Sequence, residues 1–378
     1  MNADLDKLRQ QISLADAEIL QWVAKRQALS EQVAKAKRAI GKATRDYGRE
    51  RDVLLRAREQ AKALGVSAPL AEQLLTLLIE SSLTTQEHLR VMADKQGNGK
   101  TALVIGGAGK MGHWFADFLS SQGFDVDIAD PLAAAGGYPT IARWQDSPLK
   151  HDMIVIATPL GVTAQVLEEL ATRRPTGLVF DLASVKTPLR EGLASLKNAG
   201  VKVTSLHPMF GPDTQLLSNR HVVFVDLGDQ AALNEAQELF RATMAECVVM
   251  GLEEHDRLMA FVLGLSHAVN IAFFTALAES GEAAPKLSQL SSTTFNAQLA
   301  VAARVAQESP ALYFEIQALN AYSGESLAAL LMAVERLRAA VRSDDAKGFA
   351  AMMTRGLAYL HQRGAEQGAK IGGLHAPK

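Results

Sequence analysis

His207 stands in the hexapeptide His207-Pro208-Met209-Phe210-Gly211-Pro212, directly after the apolar run Val203–Leu206. Two prolines stiffen that loop. A neutral imidazole held there can take the hydroxyl proton when an alcohol carbon gives up hydride near pH 7. Thr158 follows the run Ile154–Ala157, and Ser184 and Lys186 follow Val179-Phe180-Asp181. If these runs are neighbouring strands of an open α/β sheet, their polar followers line one crevice beyond the strands' carboxyl ends. A histidine merely hydrogen-bonded in a turn is the plainer reading of His207, and its place in such a crevice outweighs it.

Gly107-Ala108-Gly109-Lys110-Met111-Gly112 fits GxGxxG, follows the apolar Leu103-Val104-Ile105 and precedes a helical pattern of Trp114, Phe115, Phe118 and Leu119. Strand, turn and helix in that order make a dinucleotide site, with the pyrophosphate on the amides and positive dipole end of the helix N-terminus. Asp130 ends the next strand, 23 residues after Gly107. A carboxylate there accepts hydrogen bonds from ribose hydroxyls and repels a 2′-phosphate, so NAD is the expected cofactor. Arg304, set in the apolar helical stretch Leu299–Val305, suits bidentate binding of a carboxylate or an interhelix salt bridge equally well. His255, His267 and Tyr313 are weaker candidates, each of a type more often structural.

A second group of polar residues lies near the N-terminus. Apolar residues at heptad spacing run from Leu5 through Leu8, Ile12, Ala15, Ile19, Trp22, Leu29, Val33 and Ala36 to Ile40, and Arg26 occupies one position of that seam. A cation there needs an anion partner. Lys37 is 11 residues further on, roughly 16 Å along nearly the same face, so the two side chains could bracket a small dianion. Arg9 stands roughly 42 Å from Lys37 on a straight helix, so it could join such a site only from a partner subunit. Asp46, Arg49 and Glu50 share one helix face by spacing, as do Ser82 and Gln86. Charges in helical segments are usually solvated surface, and Arg26 in the seam argues otherwise here.

The elements that must position these residues fall into three zones. Residues 1–95 hold one proline, Pro69, and helical periodicity throughout, predicting one helix of about 38 residues and roughly 57 Å, then two shorter helices near 46–64 and 68–93. So long a helix needs other helices or a second subunit to cover its seam. A polar, glycine-bearing linker at 96–100 leads into 101–250, where short apolar runs alternate with helices. The strands expected are Ala102–Ile105, Val126–Ala129, Met153–Ala157, Leu178–Asp181, Val201–Ser205, Val222–Val225 and Cys247–Met250. They read as a Rossmann-type α/β domain with a largely parallel sheet. Residues 251–378 return to helix. The 378 residues, 48% apolar, can build two or three cores. A net charge of −2 gives no bulk attraction to nucleic acid or to an anionic membrane. Cys247 is the single cysteine, which rules out an intrachain disulfide and a cysteine zinc site and fits a reducing compartment, the cytoplasm by default. The N-terminus lacks an apolar signal core, and the longest apolar helical stretch, 258–278, is interrupted by Ser266, His267 and Asn270, so neither membrane nor metal binding is expected.

Residues 1–93 resemble the all-helical chorismate mutases, matching Arg9, Arg26, Lys37, Asp46, Arg49, Glu50, Ser82 and Gln86 at the family's spacing. Residues 101–378 resemble prephenate dehydrogenases through Gly107–Gly112, Asp181–Lys186, His207–Pro212, Glu254-His255-Asp256 and Arg304. The chain as a whole is similar to the bifunctional chorismate mutase/prephenate dehydrogenases of tyrosine synthesis. The resemblance implies a helical mutase domain, an NAD-binding Rossmann domain and a helical substrate and dimerisation domain. It also implies a homodimer in which Arg9 reaches the partner's mutase site. Arg9 and Arg26 would hold chorismate's carboxylates, and Lys37 and Gln86 the ether oxygen. Glu50, Asp46 and Ser82 would orient the hydroxyl and the remaining polar groups, and Arg49 would be a further substrate-binding residue. In the second part His207 would take the C4 hydroxyl proton of prephenate and Arg304 would anchor a carboxylate, with Thr158, His267 and Tyr313 as further contacts; Ser184 is a candidate substrate contact by its place at the strand ends. Where the family carries a second arginine near position 296, this chain has Asn296. Tyrosine is the candidate feedback inhibitor. An arogenate-preferring dehydrogenase, a helical part acting only in dimerisation or sensing, and a β-hydroxyacid dehydrogenase are the competing readings. The last leaves the N-terminal helices and the His207–Pro212 loop unexplained.

Overall fold

The computed structural model describes residues 2–132 and 136–370 and divides the chain into two compact units, Met1–His255 and Asp256–Lys378. The first unit opens with three helices, α1 (Asn2–Ala39), α2 (Tyr47–Ala63) and α3 (Ala68–Asp94). α3 packs along both α1 and α2. Asp46 caps α2, its Oδ1 accepting from the Arg49 backbone N–H at 2.9 Å, so it precedes the helix on whose face its spacing had put it. Pro69 occupies the first turn of α3, where its missing N–H costs nothing. The α1 seam is bare within one chain: Leu8, Ile12, Ile19 and Trp22 are each more than half exposed. Arg26 instead turns from that seam toward α3.

The linker is tied down at Gly97, whose N–H donates to Gln122 O at 3.0 Å. Beyond it come β1 (Thr101–Ile105), α4 (Lys110–Ser121), β2 (Asp125–Ala129), β3 (Thr140–Ile141), β4 (Met153–Ile156), α5 (Leu160–Arg173), β5 (Leu178–Asp181), α6 (Arg190–Asn198), β6 (Val203–Pro208), β7 (His221–Val225), α7 (Gln230–Glu238) and β8 (Glu246–Met250). They form one eight-stranded sheet in the order β3-β2-β1-β4-β5-β6-β7-β8. Most pairs are parallel, as the apolar runs predict, but β7 runs antiparallel to β6. A strand buried on both faces reads as the same apolar run in either direction, so its sense is not written in the pattern. β6 starts at Val203 rather than Val201 and continues through Pro208, which puts His207 inside the strand, opposite Val223, rather than in the loop. Phe115 of α4, Phe180 of β5 and Phe224 of β7 are fully buried in one core under the sheet, each stabilising the fold by about 1.5–3 kcal/mol through burial.

The second unit is helical. α8 (Leu252–Met259) carries the chain across the boundary, and a π-helical segment, Ala260–Leu265, joins it to α9 (Ser266–Glu279). Then follow α10 (Ala284–Gln289), α11 (Thr293–Gln307), α12 (Pro310–Leu319), α13 (Ser323–Arg342) and α14 (Ala346–Lys370). α13 packs on the π-helical segment and α11 on α9. Gln317 donates to Gly264 O at 2.7 Å, supplying a partner where the helical ladder is irregular. Among the described residues, Leu252–Glu279 is the one helical run long and apolar enough to cross a membrane by length and composition. Asn270 is buried within it and bonded to Ser266 O and Gln298.

Candidate active sites

Between α1, α2 and α3 lies a cavity of about 340 Å³ whose lining includes Arg26, Lys37, Asp46, Arg49, Glu50, Ser82 and Gln86. Seven of the eight polar positions singled out in the sequence thus meet in one place, with Val33, Val53, Ile79 and Leu83 as its apolar walls. Arg26 donates to Leu78 O and to Ser82 Oγ, which fixes the guanidinium on α3. Burial pushes its pKa below the ordinary arginine value. Lys37 reaches across the end of α1 to Thr44 O at 2.5 Å. Gln86 is buried, with Nε2 on Ser30 Oγ at 3.0 Å and Oε1 without a partner among the described residues. Ser30 Oγ in turn donates to Ser82 O at 3.3 Å, which ties Gln86 to α1 and back to α3. Arg9 does not join them in this chain. It is exposed and paired with Asp6 at 3.4 Å.

Gly107–Gly112 forms the turn from β1 into α4. Gly106, just outside the motif, takes the left-handed conformation the turn requires, with φ of +87°. A Cβ on Gly112 would lie 2.2 Å from Gly106 O, so no side chain is tolerated there. Gly109 caps α4 without any side chain over its first amides, which leaves the N–H groups of Lys110 and Met111 directed at the mouth of the loop. Asp130 sits beside them, Oδ2 accepting from the Ala108 N–H at 3.1 Å and Oδ1 from Leu132 N–H at 2.9 Å. A glycine cradle, uncapped helix amides and an adjacent carboxylate fit a dinucleotide. Among the described residues no cluster of three or more His, Cys, Asp or Glu side chains is set to hold a metal ion.

At the strand ends His207 is buried, its Nδ1 2.9 Å from His255 Nε2, the two rings meeting edge to face. Its pKa is held well below the usual imidazole range, first by burial and then by the neighbouring His255 and Lys186. His207 is therefore neutral at pH 7. For it to accept a proton at Nε2, its Nδ1 must carry the hydrogen and donate it to His255. His255, by sequence only a weaker candidate and a member of Glu254-His255-Asp256, is the group that faces His207 Nδ1. Lys186 is fully buried, donating to Asp181 Oδ1 and Leu206 O, each at 2.7 Å. Thr158 shares a hydrogen bond with Thr163 at 2.8 Å, and Ser184 is half-buried in the turn after β5.

In the second unit His267 and Tyr313 stack with ring centroids 4.1 Å apart. His267 Nδ1 is buried without a partner among the described residues, and burial lowers the ring's pKa. Arg304 lies exposed on α11, and the interhelix salt bridge that the sequence left open is not formed among the described residues. Asn296 lies two turns earlier on the same helix.

The chorismate mutase type II family matches residues 8–87. The nucleotide-binding domain of prephenate dehydrogenase matches 140–249, and the dimerization domain of prephenate dehydrogenase matches 252–355. The T-protein of Enterobacter agglomerans is 31% identical over 84% of this chain and 82% of its own length. The T-protein of Haemophilus influenzae is 28% identical over 82% of this chain and 80% of its own. In fold, the crystal structure of Aquifex aeolicus prephenate dehydrogenase in complex with hydroxyphenyl propionate and NAD+ is similar, with a TM-score of 0.57, 16% identity, and coverage of 69% of this chain and 98% of that one.

Proposed function

The chain belongs to the T-protein family, and from that premise we propose that it rearranges chorismate to prephenate in its helical part and oxidatively decarboxylates prephenate to 4-hydroxyphenylpyruvate in the remainder. The observation that carries this reading is the cavity between α1, α2 and α3, which gathers Arg26, Lys37, Glu50 and Gln86 around a space of about 340 Å³.

The mutase step is pericyclic and needs no nucleophile. Selecting the compact diaxial conformer and stabilising charge on the breaking ether bond suffice. Arg26 holds a carboxylate, Lys37 and Gln86 face the ether oxygen, and Asp46, Arg49, Glu50 and Ser82 orient the hydroxyl and the rest. The bare apolar seam of α1 and the exposed Arg9 support a second copy that covers the seam and lends its Arg9 to the site. The match of 252–355 to a dimerization domain supports a homodimer as well.

In the dehydrogenase step, NAD bound on Gly107–Gly112 supplies the acceptor for the C4 hydride. Asp130 beside Ala108 favours a 2′-hydroxyl over a 2′-phosphate. His207 takes the hydroxyl proton, and loss of CO₂ aromatises the ring. Arg304 anchors a substrate carboxylate, with Thr158, Ser184, His267 and Tyr313 as further contacts. Arg304→Ala is expected to raise KM for prephenate about tenfold or more with kcat little changed. Steady-state kinetics with saturating NAD measure this, and an unchanged KM removes Arg304 from substrate binding.

The test of the whole reading is a paired assay on the purified protein, following chorismate disappearance without cofactor and then NADH formation from prephenate. Both activities are expected. NADH formation with chorismate untouched reduces the helices to a dimerisation module, and the absence of both ends the substrate assignment.

A further inference from the structure

Three consecutive residues of the α/β part, Leu217, Ser218 and Asn219, are each bonded to the helical part. Leu217 N–H donates to Glu87 Oε2 at 2.8 Å. Ser218 Oγ accepts from Arg45 Nη1 at 2.6 Å. Asn219 Oδ1 accepts from Tyr47 OH at 3.4 Å. Each partner adjoins the mutase cavity in sequence: Glu87 follows Gln86, and Arg45 and Tyr47 flank Asp46. The other carboxylate oxygen of Glu87 takes the Met244 N–H, so both oxygens of this buried side chain are bonded to the α/β part.

Arg45 is the informative member. Its Nε and Nη2 grip both oxygens of Glu50 at 2.9 Å each, its guanidinium lies over the Tyr47 ring at 4.4 Å, and its remaining nitrogen is on Ser218. A bidentate fork fixes the plane of the carboxylate as well as its position. The direction in which Glu50 presents an oxygen to the cavity is therefore set by Arg45. The direction of Arg45 is set by a serine outside the helical part, itself buried. Resting on the functional reading above, we propose that Arg45 is a positioning residue for Glu50 and that the Leu217–Asn219 segment is its seat, so that the dehydrogenase part completes the mutase site.

That segment lies between the His207–Pro212 stretch and β7, whose Val223 pairs with His207.

The test is a double-mutant cycle in the full-length protein, measuring kcat/KM for chorismate and, on the same preparations, kcat for prephenate oxidation. Arg45→Ala is expected to lower mutase kcat/KM about 10- to 100-fold, and Ser218→Ala about 3- to 10-fold, as loss of charge-assisted and single hydrogen bonds should. Prephenate oxidation stays unchanged in Ser218→Ala. In a Glu50→Gln background the Ser218→Ala effect disappears, because the two act through one chain of contacts. Full additivity of Ser218→Ala and Glu50→Gln overturns the proposal, as does a Ser218→Ala loss shared equally by both activities, which marks general destabilisation. An unsubstituted chain without mutase activity overturns the functional reading and this proposal together. An active one with additive variants overturns this proposal alone.

Discussion

His207→Asn lowers the kcat of prephenate oxidation by about 10²-fold or more, as loss of a general base should, and leaves the chorismate mutase rate unchanged. The imidazole is held by the β6 backbone opposite Val223 and by its 2.9 Å contact with His255, so the substitution removes a base without removing a support. Asparagine can still hydrogen-bond the C4 hydroxyl but cannot accept its proton. Steady-state rates with prephenate and NAD, taken beside chorismate disappearance in the same preparation, give the answer. A near-normal oxidation rate excludes His207 from the chemistry.

The same residue sets an expected pH response. Its folded-state pKa is pushed well below the ordinary value near 6.5. The neutral, proton-accepting form therefore persists as pH falls through 6.5, and the acid limb of dehydrogenase kcat lies below that pH. For stability the sign follows from linkage. Above about pH 6.5 the imidazole is neutral folded or unfolded and its burial carries no charge penalty; as pH falls below that, the unfolded chain binds a proton the folded one refuses, and stability is lost. An acid limb centred at or above pH 6.5 contradicts the assignment.

What could be read in advance divides along physical lines. α1, α2 and α3 were legible to within a residue or two because helical periodicity and Pro69 are local signals. The glycine loop was legible because a steric rule demands those residues wherever the backbone turns so tightly, although Gly106, which bears the positive φ, lay one place outside the motif. β3 is two residues long and too short for any pattern to show. The pairing of His207 with His255, 48 residues apart, and of Arg45 with Ser218, 173 apart, depends on how the elements pack, which no window of sequence contains. Arg26 shows both sides of this. Its place in an apolar seam called for an anion partner, but its partners proved to be Leu78 O and Ser82 on α3, beside a seam that is bare within this chain.

That bare seam leads to the second large effect. Lys37→Ala lowers mutase activity by about 10²-fold or more, as removal of a charged donor from a developing oxyanion does, with prephenate oxidation unaffected. Arg9→Ala is expected to give a comparable loss although the exposed Arg9 side chain pairs only with Asp6 among the described residues, because on the proposed reading it acts on the partner's substrate. Each variant alone turns over only at that residual rate, but each subunit retains what the other lacks. In a heterodimer one site combines the intact Lys37 of the first chain with the intact Arg9 of the second, while the other site carries both defects. Random exchange of an equal mixture makes half the dimers mixed, so about a quarter of wild-type mutase activity returns. The measurement is chorismate consumption after the two variants are unfolded together and refolded, with separately refolded variants mixed afterwards as the control. If co-refolded samples gain nothing over that control while mixed dimers are detected by mass, the sites are not shared and Arg9 has no part in them.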